Sequence, residues 1–210
     1  MKIASLEDVI RTIAQRGSTQ RSIAAIAGAP GSGKSHVAAA IVETLNASEP
    51  GSAALLGMDG FHFDDRVLLT RGLLARKGAP DTFDTGGLRH LLGRLQANVE
   101  DEIFVPEFDR ALEVARAAAK AIPRAVRHVV VEGNYLLLRR PSWSVLEAFF
   151  DTTIFLHVDR GTLRRRLEQR WRRLGRDEQH VQQWVWSNDL PNADVIIAES
   201  RPPEFTIVNE

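Results

Sequence analysis

The residues with the clearest chemistry are Gly28-Ala29-Pro30-Gly31-Ser32-Gly33-Lys34-Ser35, which match the pattern G-x-x-x-x-G-K-[ST]. Glycines in such a run let the main chain take positive φ and wrap closely around an anion. Successive N–H groups and a helix N-terminus then point at that anion. Lys34 would neutralise β- and γ-phosphate charge, and Ser35 would place a hydroxyl on Mg²⁺. His36, the next residue, is counted with the nucleotide contacts. The expected chemistry is the binding of ATP with Mg²⁺ by its polyphosphate tail. A glycine-rich turn with a surface lysine is the bland alternative. It is disfavoured because the run follows an apolar strand-like segment and opens a helical one.

Two carboxylates follow apolar segments. Asp59 lies in Met58-Asp59-Gly60-Phe61-His62. Ligands of parallel α/β sheets sit beyond the carboxyl ends of strands. Asp59 could therefore accept the proton of an attacking hydroxyl or help place Mg²⁺; on its own it is read equally well as an Asp-Gly turn. Glu132 ends the run His128–Val131 and suits an outer Mg²⁺ contact. Between Arg160 and Arg176 stand eight arginines and one acid, Glu168. Arg166, Arg170 and Arg173 share one helical face, which could cover a triphosphate and stabilise charge in transfer. A solvated basic face and a nucleic-acid patch are the other readings of these arginines. His62, flanked by Phe61 and Phe63, is either packed or bonded to acceptor hydroxyls. The four tryptophans are expected to pack the core or lid.

These groups need a scaffold. Leu6, Val9, Ile10 and Ile13 recur at helical spacing behind Ser5. Strands are expected at Ser22–Ala27, Ala53–Met58, Ile103–Val105, His128–Val131, Thr153–Val158 and Val195–Ala198. Helices are expected at Lys34–Leu45, around Leu88–Leu95, at Thr162–Leu174 and at Glu178–Trp186. The Ala-rich stretch Ala111–Ala121 reads helical by propensity. Strands alternating with helices predict a parallel sheet covered on both faces.

A chain of 210 residues suits one domain, 1–210, with a lid at about 160–178. Lys and Arg number 27 and Asp and Glu 27, so no net charge draws the whole molecule to nucleic acid or membrane. With no cysteine, a disulfide scaffold and a Cys-based zinc site are excluded. No targeting segment is visible, and a cytoplasmic location is expected. A small-molecule acceptor is the expected partner, with no nucleic acid and no membrane; a homodimer is left open.

Taken together, these residues resemble the family of uridine kinase, phosphoribulokinase and type I pantothenate kinase. Asp59-Gly60-Phe61 is similar to its Asp-x-Phe element, whose aspartate serves as catalytic base. Arg76–Asp84 resembles the segment lining its acceptor site, and Pro106-Glu107-Phe108-Asp109-Arg110 its Pro-x-Tyr-Asp element. Val131-Glu132-Gly133 and the Arg-rich helix match its Mg²⁺-assisting strand and its lid, and Pro191–Ile197 its late Pro-x-Ala-Asp-x-Ile-Ile strand. The resemblance spans about residues 20–198. It implies a three-layer α/β P-loop kinase fold with a parallel five-stranded sheet, and an ATP-dependent transfer of phosphate to an alcohol. It also implies that Ala111–Ala121 is loop or strand beside the acceptor.

On this reading the catalytic residues are Asp59, Lys34, Arg166 and Arg170, and Arg173 joins the nucleotide contacts. Phe61, His62, Arg76, Lys77, Phe83, Phe108, Arg110 and Tyr135 shape the acceptor pocket, and Ser35, Glu132 and Asp59 serve the metal. Bacterial relatives with Asp-Gly-Phe-His and Glu-Gly-Asn-Tyr are often described as fructose-transport-associated kinases or nucleoside-kinase-like proteins. His62 stands where uridine kinases carry tyrosine, and Phe108 lacks a hydroxyl; both depart from a pyrimidine-nucleoside site. A sugar acceptor, with fructose foremost, therefore stands ahead of a nucleoside or pantothenate-like alcohol. A nucleotide-switched regulatory ATPase is the reading from another class.

Overall fold

The computed structural model describes residues 2–210. Strand β1 (Lys2–Ile3) leads into helix α1 (Leu6–Arg16), whose first turn is capped by Ser5 Oγ accepting from Asp8 N at 3.1 Å. Then come β2 (Ser22–Gly28), α2 (Lys34–Ser48), β3 (Ala53–Gly57), α3 (Asp65–Thr70) and α4 (Thr85–Ala97). A hairpin of β4 (Glu102–Asp109) and β5 (Val114–Pro123) precedes β6 (His128–Glu132), the single turn α5 (Pro141–Ser144) and β7 (Thr152–His157). Helices α6 (Arg160–Arg173), α7 (Glu178–Trp184) and α8 (Leu190–Glu199) lead to β8 (Phe205–Val208).

Main-sheet order is β1-β8-β7-β2-β6-β3, all parallel, and the hairpin is separate. Successive strand side chains face opposite ways, so β2 and β6 serve two cores at once. Ile23, Ala25, Ala27, Val129 and Val131 pack with α4 leucines 88, 91, 92 and 95, and with Trp143. Ala24, Ile26 and Val130 pack with Val9 and Ile13 of α1 and with Val37, Ile41 and Leu45 of α2. The result is three layers. Truncating one of these buried leucines to alanine costs about 2–5 kcal/mol.

The main sheet has six strands, not five. Two of them, β1 and β8, lie where no strand was expected: β1 is two residues long, and β8 follows Arg201-Pro202-Pro203. Val195–Ala198 is not a strand. It belongs to α8, where Leu190, Ala193 and Ile196 are buried at helical spacing and Ile197 is exposed. Residues 114–123 are strand rather than helix, as the family resemblance implied. Cross-strand pairing with β4 overrides alanine's helical propensity. The hairpin bulges between Val105 and Glu107, where Pro106 brings no N–H to the ladder. Its carbonyl presses on Gly60, where a Cβ would lie 2.8 Å from Pro106 O. No helix among the described residues is long and apolar enough to cross a membrane.

Candidate active site

Strand β2 runs into the glycine loop, and α2 starts at Lys34 with Gly33 as its N-cap. Gly31 (φ 80°) and Gly33 (φ 88°) take the left-handed conformation that favours glycine. Gly28 is tightly enclosed: a Cβ there would lie 2.8 Å from Ser32 Oγ and 3.0 Å from the main-chain oxygen of Leu156. Ala29 and Ser32 are buried in the loop wall, and Ser32 N donates to Ala29 O at 3.0 Å. Pro30, Gly31, Gly33, Lys34 and Ser35 line a cleft of about 1110 Å³. His36 is exposed on α2, outside that lining.

The two carboxylates stand at the ends of neighbouring strands. Glu132 pairs in register with Ile26 of β2 on one side and Gly57 of β3 on the other, and Asp59 lies two residues beyond Gly57. Ser35 Oγ donates to Glu132 Oε1 at 3.1 Å. Burial pushes Glu132 above the usual carboxylate range, and Lys34 opposes it. Burial lowers the Lys34 pKa, while Glu132 and Asp59 pull it back up. Burial also favours neutral Asp59, but the Arg110 guanidinium beside it, with His62 and Lys34, outweighs that and holds the carboxyl low. Ser35 and Glu132 form a small hard-oxygen donor set. That suits Mg²⁺, which takes few protein ligands and completes its shell with waters and substrate phosphates.

On the acceptor side, the His62 ring lies 4.1 Å from that of Phe83 and 4.8 Å from that of Phe108. Its Nδ1 lies 2.8 Å from Asp59 O, and burial lowers its pKa, so the neutral ring offers Nε2 as acceptor. Arg110 forms an ion pair with Asp59, and Lys77 Nζ pairs with Asp65 Oδ1 at 2.7 Å. Both cations lie over the Phe108 ring.

Three expected pocket residues sit behind the wall instead. Phe61 is buried in the core cluster. Tyr135 is fully buried, its hydroxyl donating to Gly78 O at 2.6 Å, which orders the loop beside Lys77. Arg76 reaches Ser187 O at 3.0 Å and Asn192 Oδ1 at 3.4 Å, so it braces the lid end rather than facing the cleft.

The arginines of the lid divide. Arg170 and Arg176 line the cleft. Arg166 donates to Gly31 O at 3.4 Å and so touches the glycine loop from outside. Arg160 pairs with Asp194 at 2.9 Å and Arg172 with Glu178 at 2.8 Å. Arg173 is exposed and outside the lining. Sequence spacing placed it on the face of Arg166 and Arg170, but the cleft passes the helix at Arg170 and Trp171.

Sequence reasoning missed Trp171, His180, Trp184 and Asp189 as cleft residues. Trp184 stacks on His180 with planes 6° apart and meets Trp171 edge-on, and Trp171 Nε1 donates to Asp189 Oδ2 at 2.6 Å. Burial raises the Asp189 pKa against that hydrogen bond. The signal available for the rings was helical spacing, His180 to Trp184; Asp189 carried none. Asn134, directly after Glu132-Gly133, also lines the cleft.

A glycine loop at a central strand end, two carboxylates at the ends of the next two strands and an arginine-bearing helix alongside define a P-loop phosphotransferase. The sequence comparisons agree. A protein of Silicibacter sp. TM1040, provisionally described as a fructose transport system kinase, superposes with a TM-score of 0.89 at 38% identity, covering 97% of this chain and 98% of that one. The uncharacterized protein YggC of Escherichia coli K12 is 33% identical over 190 residues, 90% of this chain and 78% of its own length. A provisionally assigned uridine kinase of Schizosaccharomyces pombe is 34% identical over 158 residues, 72% of this chain and 66% of that one. The pantothenate kinase of Sorangium cellulosum is 33% identical over 67% of this chain but only 46% of its own length. No family model matches the chain. The chain belongs to the P-loop kinase family of the uridine and pantothenate kinases, and it is an ATP-dependent phosphotransferase with an alcohol group as acceptor.

Proposed function

We propose that the chain acts as one catalytic unit, 1–210 with its lid at about 160–178, and transfers the γ-phosphoryl group of ATP to a hydroxyl of a sugar-like metabolite, fructose being the first candidate. The observation that carries this reading is the row of strand ends β2, β6 and β3. It brings Lys34 and Ser35, Glu132, and Asp59 side by side on one cleft wall.

Main-chain N–H groups of the loop, Lys34 and Arg170 hold the polyphosphate. Ser35 and Glu132 would hold Mg²⁺, which would supply charge neutralisation at the phosphates. Asp59 accepts a hydrogen bond from the acceptor hydroxyl and aims it in line. Phosphoryl transfer asks the protein mainly for such positioning and charge stabilisation.

Support for a sugar comes from lid residues and His62, which line the same cleft. The flat faces of Trp171 and Trp184 suit the C–H face of a sugar, and Asp189, Asn188 and His62 Nε2 suit its hydroxyls. The dependence on ATP argues for the cytoplasm.

The test is coupled ADP release with a panel of sugars, uridine and pantothenate. Stimulation by a sugar is expected. Stimulation by uridine or pantothenate alone would move the acceptor class to a nucleoside or pantothenate kinase. A slow rate that no acceptor changes would replace the kinase with a nucleotide switch.

A further inference from the structure

The outer side of the glycine loop is held by the far end of the chain. Strand β8 pairs with β7 so that Val208 lies opposite His157, and Asn209 N donates to His157 O at 3.0 Å. That anchor carries the Asn209 side chain to the loop, where Nδ2 donates to Ser32 O at 2.7 Å. The contact is close, since a Cβ on Gly33 would come within 2.6 Å of Nδ2.

Peptide units are planar and trans, so the carbonyl of Ser32 and the N–H of Gly33 point in opposite directions. A donor gripping Ser32 O from outside the loop fixes the Gly33 N–H toward the inside. The neighbouring Ser32 N–H is taken up by Ala29 O at 3.0 Å, which leaves Gly33 N–H as the next donor in line for phosphate. Gly33, at φ 88°, is the residue type with the most conformations open to it, so this peptide gains most from an outside hold. Arg166 makes the longer, 3.4 Å contact with the adjacent carbonyl of Gly31.

We propose that Asn209 is a positioning residue of the phosphate cradle. It sets the Ser32–Gly33 peptide so that Gly33 N–H is already aimed at the polyphosphate, and it ties nucleotide affinity to the β7–β8 pair of the sheet. The proposal rests on the assignment of Gly28–Ser35 to the nucleotide phosphates.

The experiment compares wild type, Asn209→Leu (nearly isosteric, no donor), Asn209→Gln (donor kept) and Lys34→Ala by calorimetric titration with Mg·ADP. Steady-state kinetics and thermal unfolding without nucleotide accompany it. Loss of one neutral hydrogen bond predicts a Kd for Mg·ADP about fivefold weaker in Asn209→Leu. The KM for ATP should rise alike while the acceptor KM and the nucleotide-free unfolding midpoint stay put, and Asn209→Gln should recover part of the affinity. Wild-type affinity in Asn209→Leu, beside lost binding in Lys34→Ala, overturns the role of Asn209 and leaves the cradle standing. Equal losses of ATP and acceptor affinity with a lowered unfolding midpoint overturn it too, in favour of general destabilisation. Undiminished binding in Lys34→Ala would bring down the cradle assignment itself.

Discussion

The phosphate side of the cleft is built from three adjacent strand ends, whereas the acceptor side is built from a hairpin, a loop and lid helices that meet only in three dimensions. Lys34, Ser35, Glu132 and Asp59 inherit their positions from a parallel ladder whose register is fixed by two cores. Phe108 is held instead in the separate β4–β5 hairpin, His62 by a single bridge to Phe83, and Trp171 on the lid helix α6, elements outside the main ladder. Chemistry common to a family can sit on the first kind of support and substrate choice on the second.

That contrast can be broken most directly at Asp59. Asp59→Ala should lower kcat by about 10²–10⁴, the usual worth of a positioned acid–base group, with Mg·ADP affinity near wild type by titration. Normal turnover in that variant would remove Asp59 from the mechanism. Next, Glu132→Gln should raise the Mg²⁺ concentration needed for half-maximal rate by about 10–100-fold, read from a magnesium titration of initial rates. On the other side of the cleft, Trp184→Ala should raise the acceptor KM by roughly tenfold while the ATP KM moves little, since aromatic contacts are worth about 0.5–1.5 kcal/mol beyond buried area. Parallel changes in both KM values would mean that the two halves are not separable.

The smallest effect concerns the lid's surface. Glu178, hydrogen-bonded by Arg172 and then Gln182, has its pKa held down to about 2. A carboxylate lowered on folding stabilises the fold above its unfolded pKa of about 4.3 and loses that contribution as pH falls toward the folded value. Unfolding midpoints read by tryptophan fluorescence from pH 7 to pH 2 should therefore show Glu178→Gln slightly less stable than wild type near neutrality and matching it at the acid end.

The sequence revealed what is local and what is periodic. Gly28–Ser35 is one contiguous pattern, and Asp59 and Glu132 directly follow apolar runs, so their placement could be read from the chain. Strand β8 could not, because four residues behind a proline pair carry little periodicity, and Ile196-Ile197 attracted the strand assignment instead. Arg76 and Tyr135 lie in the right segments but turn away from the cleft. Their orientation depends on Ser187, Asn192 and Gly78, contacts that span up to 116 residues along the chain. The same long range hides Asn209, which is 177 residues from its partner Ser32.

Strand order carries one more consequence. Strand β2, which bears the cradle, is flanked by β7 and β6, whereas β3, which leads to Asp59, is the outermost rung, with Lys120 Nζ covering Leu55 O at 3.2 Å. Edge segments open at lower free energy than central ones. Amide exchange should accordingly be faster in Ala53–Gly57 than in Ser22–Gly28. Mild urea should silence catalysis while the nucleotide is still gripped.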